Sequence, residues 1–164
     1  MDKLEIIKNK IRNRDELLPL LSRWRFKDRK LVFTNGCFDI LHRGHIEYLA
    51  KASGLGDRLI VGVNTDESVR KIKGNDRPAQ DEYSRALAVS SLYFVDLVVL
   101  FGEDTPYDLI KFIEPDVLVK GGDYFPEEIV GRDIVASRGG DVVTIELIEG
   151  YSTSDIIEKL SNKM

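Results

Sequence analysis

From residue 29 onward the chain alternates between short apolar runs and longer stretches in which apolar residues recur every three or four positions. The apolar runs cover residues 31–34, 58–63, 94–101, 117–120 and 142–146 and are rich in branched and aromatic side chains. They are nearly continuous in hydrophobicity, the pattern of strands covered on both faces. Helical spacing falls between them, at 44–53, 66–72, 81–92, 106–113 and 127–138, with a last helix at 153–161. Such alternation predicts a parallel sheet with right-handed crossovers. The expected fold is α/β: a Rossmann-like, doubly wound parallel sheet of about five strands.

The first residues break that alternation. Leucines and isoleucines at helical spacings run from 3 to 26, interrupted near Asn13-Arg14-Asp15, where Asp15 suits the cap of a second short helix ending at Trp24-Arg25-Phe26. We read 1–28 as a helical lead-in, anchored by Trp24, on an α/β core spanning 29–164. A length of 164 residues fits a single domain, 1–164.

Doubly wound sheets bind ligands beyond the C-terminal ends of their strands, and the polar motifs of this chain fall there. The first strand runs into Thr34-Asn35-Gly36-Cys37-Phe38-Asp39-Ile40-Leu41-His42-Arg43-Gly44-His45, which holds both histidines of the chain. A strand, tight loop and helix start aim backbone N–H groups and the positive end of a helix dipole into one space, which suits phosphate. His42 and His45 fall on one helix face, and Gly44 between them leaves room for a ligand. Lys71 to Pro78 form a basic, glycine-containing stretch that breaks helical continuity; its cations are spaced to fold over a triphosphate, and a solvated loop explains them equally well. After the fourth strand, Lys120-Gly121-Gly122-Asp123-Tyr124 offers a close backbone approach and opposite charges, with a plain turn and salt bridge as the competing account. Ser152-Thr153-Ser154, after Gly150-Tyr151, places three hydroxyls at a helix start; one is expected as a cap, and three suggest a second phosphate cradle. Thr65 or Asp66 reads as a helix cap, and Arg85 as an exposed surface arginine.

Charge and composition narrow the partners. A net charge of −4 gives no basic field for nucleic acid. No apolar run has membrane-spanning length, the first residues lack a signal-peptide apolar stretch, and the one cysteine, Cys37, has no partner for an internal disulfide. A cytoplasmic protein with no membrane and no nucleic-acid partner is expected. Two histidines without a third ligand make a poor zinc set, so no protein metal ligands are assigned. Cys37 beside His42 fits a buried strand-end residue as well as a nucleophile. Neither a G-x-G-x-x-G fingerprint nor a Walker lysine loop is present. The chemistry left is that of phosphates held by histidines, lysines and helix ends.

The His42-Arg43-Gly44-His45 signature after a strand, with Ser152-Thr153-Ser154 opening a late helix, resembles the nucleotidyltransferase superfamily that includes cytidylyltransferases and phosphopantetheine adenylyltransferase. More narrowly, the segment 34–42 with Lys73-Gly74-Asn75-Asp76-Arg77-Pro78, Glu103-Asp104-Thr105-Pro106, Val119-Lys120-Gly121-Gly122-Asp123-Tyr124 and Tyr151-Ser152-Thr153-Ser154 is similar to the heptose 1-phosphate adenylyltransferases of lipopolysaccharide-core assembly. Ser154 departs from the threonine frequent in that motif but keeps the hydroxyl. The resemblance implies ATP and D-glycero-β-D-manno-heptose 1-phosphate as substrates, Mg2+ bound mainly through the phosphates, a separate heptose kinase upstream and a possible homodimer. It implies His42, His45 and Lys73 as catalytic groups, with the two imidazoles on the triphosphate and His45 on the α-phosphoryl oxygens. Lys73 and Arg77 would close over the phosphates, and Ser152, Thr153 and Ser154 would hold their far end. Backbone at Thr34, Asn35, Gly36, Phe38 and Gly44 would border the phosphate space. Asp39 would orient its neighbours or bind the sugar, and Lys120, Gly122 and Asp123 would line the nucleotide or sugar pocket. Two other readings stay open: a cytidylyltransferase acting on glycerol 3-phosphate or a related phosphoalcohol, and a non-catalytic nucleotide-binding protein.

Overall fold

The structure, a computed structural model, describes residues 2–122 and 124–162. Two helices, α1 (Lys3–Lys8) and α2 (Arg14–Phe26), precede the alternating part. There follow β1 (Leu31–Gly36), α3 (Arg43–Ser53), β2 (Arg58–Asn64), α4 (Asp66–Lys73), α5 (Glu82–Ser90), β3 (Leu97–Phe101) and α6 (Tyr107–Ile113). The chain continues through β4 (Val117–Gly121), a 3-10 turn (Pro126–Glu128), α7 (Arg132–Ser137), β5 (Asp141–Ile145) and α8 (Thr153–Ser161).

The five strands are parallel and lie in the order β3-β2-β1-β4-β5. The fold is the expected Rossmann-like α/β sandwich. Strand pleating explains why the runs look uniformly apolar. Leu31 and Phe33 point into one core with Leu17 and Leu21 of α2 and Leu109, Ile110 and Ile113 of α6. Val32 points the other way, into a core with Tyr48, Leu49 and Ala52 of α3 and Ala86 and Val89 of α5. The order reverses between β1 and β4, so a crevice opens at their C-terminal ends.

The lead-in is part of this sandwich. Lys10–Arg12 lie along the outer edge of β3: Val98 donates to the Lys10 carbonyl at 2.8 Å and Arg12 donates to the Val98 carbonyl at 2.9 Å. That pairing covers an otherwise open sheet edge. Trp24 packs on the α2 side of the core, with the Arg58 guanidinium 5.4 Å from its ring centre.

Local chemistry moves several expected boundaries. Asn13, rather than Asp15, caps α2 in a reciprocal capping box with Glu16. Strand β3 begins at Leu97 because Asp96 turns its carboxylate onto Arg58 and the Leu59 N–H, at 2.6 and 2.8 Å. The helix expected over 127–138 is a 3-10 turn and a short α7, separated at Gly131, whose φ of 88° no branched residue adopts readily. Lys71 to Lys73 belong to α4, and the loop begins only at Gly74.

Candidate active site

The crevice between β1 and β4 is a cavity of about 470 Å3 that collects residues from four chain segments. Each is positioned by a local device. Tyr48 of α3 fastens that helix over the switch point: its hydroxyl lies 2.6 Å from the Thr34 hydroxyl and donates to the Val119 carbonyl at 3.3 Å. Burial pushes the Tyr48 pKa up to about 12, so the phenol stays protonated and keeps both contacts.

His42 is the N-cap of α3. Its Nδ1 accepts the Gly44 N–H at 3.1 Å, which leaves Nε2 to carry the proton in the neutral ring. A side chain at residue 44 would place Cβ 3.0 Å from His42 Cε1, so glycine is what lets the imidazole fold back on its own helix. The His45 ring stacks on it, with centroids 3.8 Å apart and planes 25° apart, and meets Phe38 edge-on at 5.3 Å. Phe38 itself has φ 47°, and its ring fills the space a side chain at Gly36 would need. Nδ1 of His45 is buried without a hydrogen-bond partner of ordinary geometry; the Ile40 backbone offers only a weak favourable contact. Burial, reinforced by the adjacent His42, lowers the His45 pKa to about 4. Burial lowers that of His42 as well. The free site thus presents two neutral imidazoles. A polyanion bound beside them favours their protonated, donating form.

Two buried ionic networks hold the loop between β1 and α3. Asp39, 2% exposed, accepts from Arg77 Nε at 2.9 Å, from the Ala79 N–H at 2.9 Å and from the Gln80 N–H at 3.0 Å. Burial alone would raise its pKa, but these donors outweigh it and hold the carboxyl below the usual range. Asp39 therefore acts on its neighbours, with both oxygens engaged. Arg85, read from sequence as a surface residue, is fully buried. It donates to the Cys37 carbonyl at 2.6 Å, the Gln80 carbonyl at 3.0 Å and the Asp66 carboxylate at 2.8 Å. Asp66 is thus an anchor for Arg85, while Thr65 caps α4.

The cations divide. Lys73 and Arg77 line the cavity, whereas Lys71 pairs with Glu67 on the surface at 3.1 Å. Lys120, half-buried on β4, donates to Asn35 Oδ1 at 3.4 Å, and burial lowers its pKa. Ser152 caps α8 by accepting the Asp155 N–H at 3.0 Å, and Thr153 and Ser154 line the cavity beside it. Tyr151 joins α8 to α3, with the Arg43 guanidinium 5.3 Å from its ring centre. Cys37 also lines the cavity, but burial pushes its thiol pKa up despite nearby cations, the wrong direction for a nucleophile.

Of the residues singled out from sequence, His42, His45, Lys73, Asn35, Gly36, Phe38, Asp39, Gly44, Arg77, Lys120, Ser152, Thr153 and Ser154 come together around this cavity. Thr34 lies behind it, bonded to Tyr48, and Gly122 lies beyond its wall, donating to the Ile145 carbonyl at 3.0 Å. Asp123 falls outside the described residues. Tyr48, Asn64, Ile72, Leu147 and Ile148 line the cavity too and were not singled out, while Gly121 lines it as part of the motif that follows the fourth strand. The strand-end position of Asn64 is the signal that marks it. Another cavity, about 420 Å3, sits at the opposite, N-terminal end of the strands. Its cations are paired, Arg25 and Arg138 with Glu114, Arg29 with Asp57 and Lys30 with Asp141, so it offers no free grip on a ligand.

Residues 33–159 match the cytidylyltransferase-like family, and the chain belongs to that family of nucleotidyltransferases. Among curated proteins it is 55% identical over 94% of its length to "Bifunctional protein HldE" of Campylobacter jejuni subsp. doylei. It is 53% identical over 93% of its length to the protein of that name from Citrifermentans bemidjiense. The chain spans about a third of the length of these relatives, 32% and 31%. Among solved structures, a lipopolysaccharide core biosynthesis protein from Thermoplasma volcanium aligns with a TM-score of 0.61 and 31% identity, covering 76% of this chain and 99% of that one. A pantoate-beta-alanine ligase from Francisella tularensis aligns with a TM-score of 0.62 over 93% of this chain and 76% of that one, and at 15% identity shares the fold alone.

Proposed function

We propose that the chain joins ATP and D-glycero-β-D-manno-heptose 1-phosphate to give ADP-heptose and pyrophosphate. The observation that carries this reading is the stacked His42–His45 pair facing the hydroxyls at the start of α8 across one cavity. The motif resemblance supplies the sugar, and the similarity to the Thermoplasma lipopolysaccharide core biosynthesis protein supports it.

The protein's task is alignment and charge stabilisation. A 1-phosphate oxygen of the sugar attacks the α-phosphorus in line, the bond from that phosphorus to the bridging oxygen breaks, and its electrons leave with pyrophosphate. His45, protonated beside the bound polyanion, donates to the α-phosphoryl oxygens as charge grows there. His42 Nε2, Lys73 and Arg77 hold the bridging and outer phosphates, and Thr153 and Ser154 receive the far end at the positive pole of α8. The end lined by Leu147, Ile148 and Tyr151 is left for the nucleoside. Among the described residues no group of three or more carboxylate, imidazole or thiol side chains is placed to hold a metal. A magnesium ion carried in on the triphosphate, with phosphate oxygens and water as ligands, fits this donor set and would neutralise the leaving pyrophosphate.

A kinase reaction must supply the sugar 1-phosphate, from this polypeptide or another. A homodimer and a cytoplasmic location belong to the same proposal. No described helix is long and apolar enough to cross a membrane. The second reading is cytidylyl transfer to glycerol 3-phosphate or a related phosphoalcohol; the cytidylyltransferase-like family match favours its nucleotide and is silent on its acceptor. Pyrophosphate release with ATP or CTP against heptose 1-phosphate, its α-anomer and glycerol 3-phosphate separates the two. Release confined to ATP with the β-anomer supports adenylyl transfer; release with CTP and glycerol 3-phosphate supports the second reading; tight ATP binding without release from any pair leaves a non-catalytic binder.

A further inference from the structure

The cleft has a second lobe. A cavity of about 250 Å3 opens beside the main one and shares Asn35, Asn64, Ile72, Lys120 and Tyr124 with it. Its own wall joins an apolar floor of Phe101, Pro106 and Ile129 to a polar rim of Asp104, Thr105 and Glu128. Among the described residues neither Asp104 nor Glu128 has a salt-bridge partner. The main lobe is lined by His42, His45, Lys73 and Arg77. The cleft is therefore cationic at one end and anionic at the other, with the Lys120 ammonium on the shared wall.

That polarity selects what each lobe admits. Two carboxylates without a salt bridge, Asp104 within Coulombic reach of the Lys71 ammonium, disfavour a triphosphate, and the volume falls short of the about 300–1,000 Å3 typical of drug-sized ligands. The same carboxylates accept hydrogen bonds from hydroxyl groups, and the amides of Asn35 and Asn64 add donors and acceptors. Tyr124, half exposed on the shared wall, offers a flat apolar face to carbon-bound hydrogens.

Resting on the adenylyl-transfer reading, we propose that this second lobe is the acceptor pocket. It holds the ring of the sugar phosphate, with its hydroxyls on Asp104 and Glu128 and its phosphate at Lys120, directed into the main lobe toward the α-phosphorus. Asp104 and Glu128 are then the residues that select a polyhydroxylated acceptor.

The test is calorimetric titration of heptose 1-phosphate into protein saturated with Mg2+ and α,β-methylene-ATP, and of ATP into free protein. Wild type is compared with Asp104→Asn, Glu128→Gln and the control Glu127→Gln, which removes a neighbouring charge outside the lobe. The expected result is at least about tenfold weaker sugar-phosphate binding in the first two variants, the scale of one hydrogen bond to a charged group, with ATP binding and the control unchanged. Sugar-phosphate affinity that is the same in all four proteins, or that falls together with ATP affinity, overturns the assignment. Wild type that binds the sugar phosphate in this acid-dependent way but releases no pyrophosphate overturns the catalytic reading and leaves the pocket standing.

Discussion

At the scale of one residue, the proposed chemistry concentrates on His45. Its ring is fixed by stacking on His42 and by the edge of Phe38, so removing it should not disturb the core. We expect His45→Ala to fold normally and to lose at least about a hundredfold in turnover, the scale of losing one transition-state donor; circular dichroism and pyrophosphate release report the two properties. The same residue gives a stability signature. Its pKa falls from 6.5 to about 4 on folding, so between those values the unfolded chain binds a proton that the native state does not. Stability from this residue is therefore full above pH 6.5 and declines as pH falls toward 4. In His45→Gln that part of the decline should vanish from urea midpoints across the window, while the loss from Asp39, whose pKa lies below its usual 3.8, persists at lower pH. Arg85 is the residue the sequence hid. Nothing in the pattern around Glu82 to Ser90 separates an arginine facing solvent from one buried beneath a loop, because its partners, the Cys37 and Gln80 carbonyls and Asp66, come from elsewhere in the chain. Arg85→Met should cost about 3–5 kcal/mol, as breaking a buried pair does, and adding Asp66→Asn should recover part of that cost in urea unfolding.

Helix starts frame the candidate site at the scale of elements, and two of them were legible. The hydroxyl run at the start of α8 was recognisable because capping chemistry is local, and the His-x-Gly-His start of α3 because both histidines follow an apolar strand, although the capping role of His42 emerged only from the structure. Less legible were elements whose limits depend on distant contacts: β3 starts late because of Asp96 and Arg58, and the helix expected over 127–138 is split at Gly131, where a side chain would meet Ile110 Cδ1 at 2.6 Å. Two substitutions probe the helix starts. Ser152→Ala should destabilise by about 0.5–2 kcal/mol through loss of the cap and raise KM for ATP. Gly44→Ala should push the His42 ring off its helix and lower turnover while leaving secondary structure intact, read from steady-state kinetics and circular dichroism.

For the whole molecule, strand and helix alternation announced a parallel sheet, and that architecture alone directs ligands to the strand C-termini. The strand order and the position of its reversal came only from long-range pairing, as did the division of the crevice into a cationic and an anionic lobe. Lys10–Arg12 illustrate the same limit, since an edge pairing with Val98 leaves no periodic mark in three residues. Because a triphosphate should bind the native crevice and not the unfolded chain, millimolar ATP with Mg2+ should raise Tm, and the shift should shrink in a Lys73→Ala, Arg77→Ala double variant. The most direct measurement is a crystal structure of the protein with Mg2+ and α,β-methylene-ATP. We expect the triphosphate in the crevice between β1 and β4, with His45 within hydrogen-bond reach of an α-phosphoryl oxygen and the outer phosphates at the start of α8. A triphosphate bound elsewhere, with both imidazoles unengaged, would contradict the account.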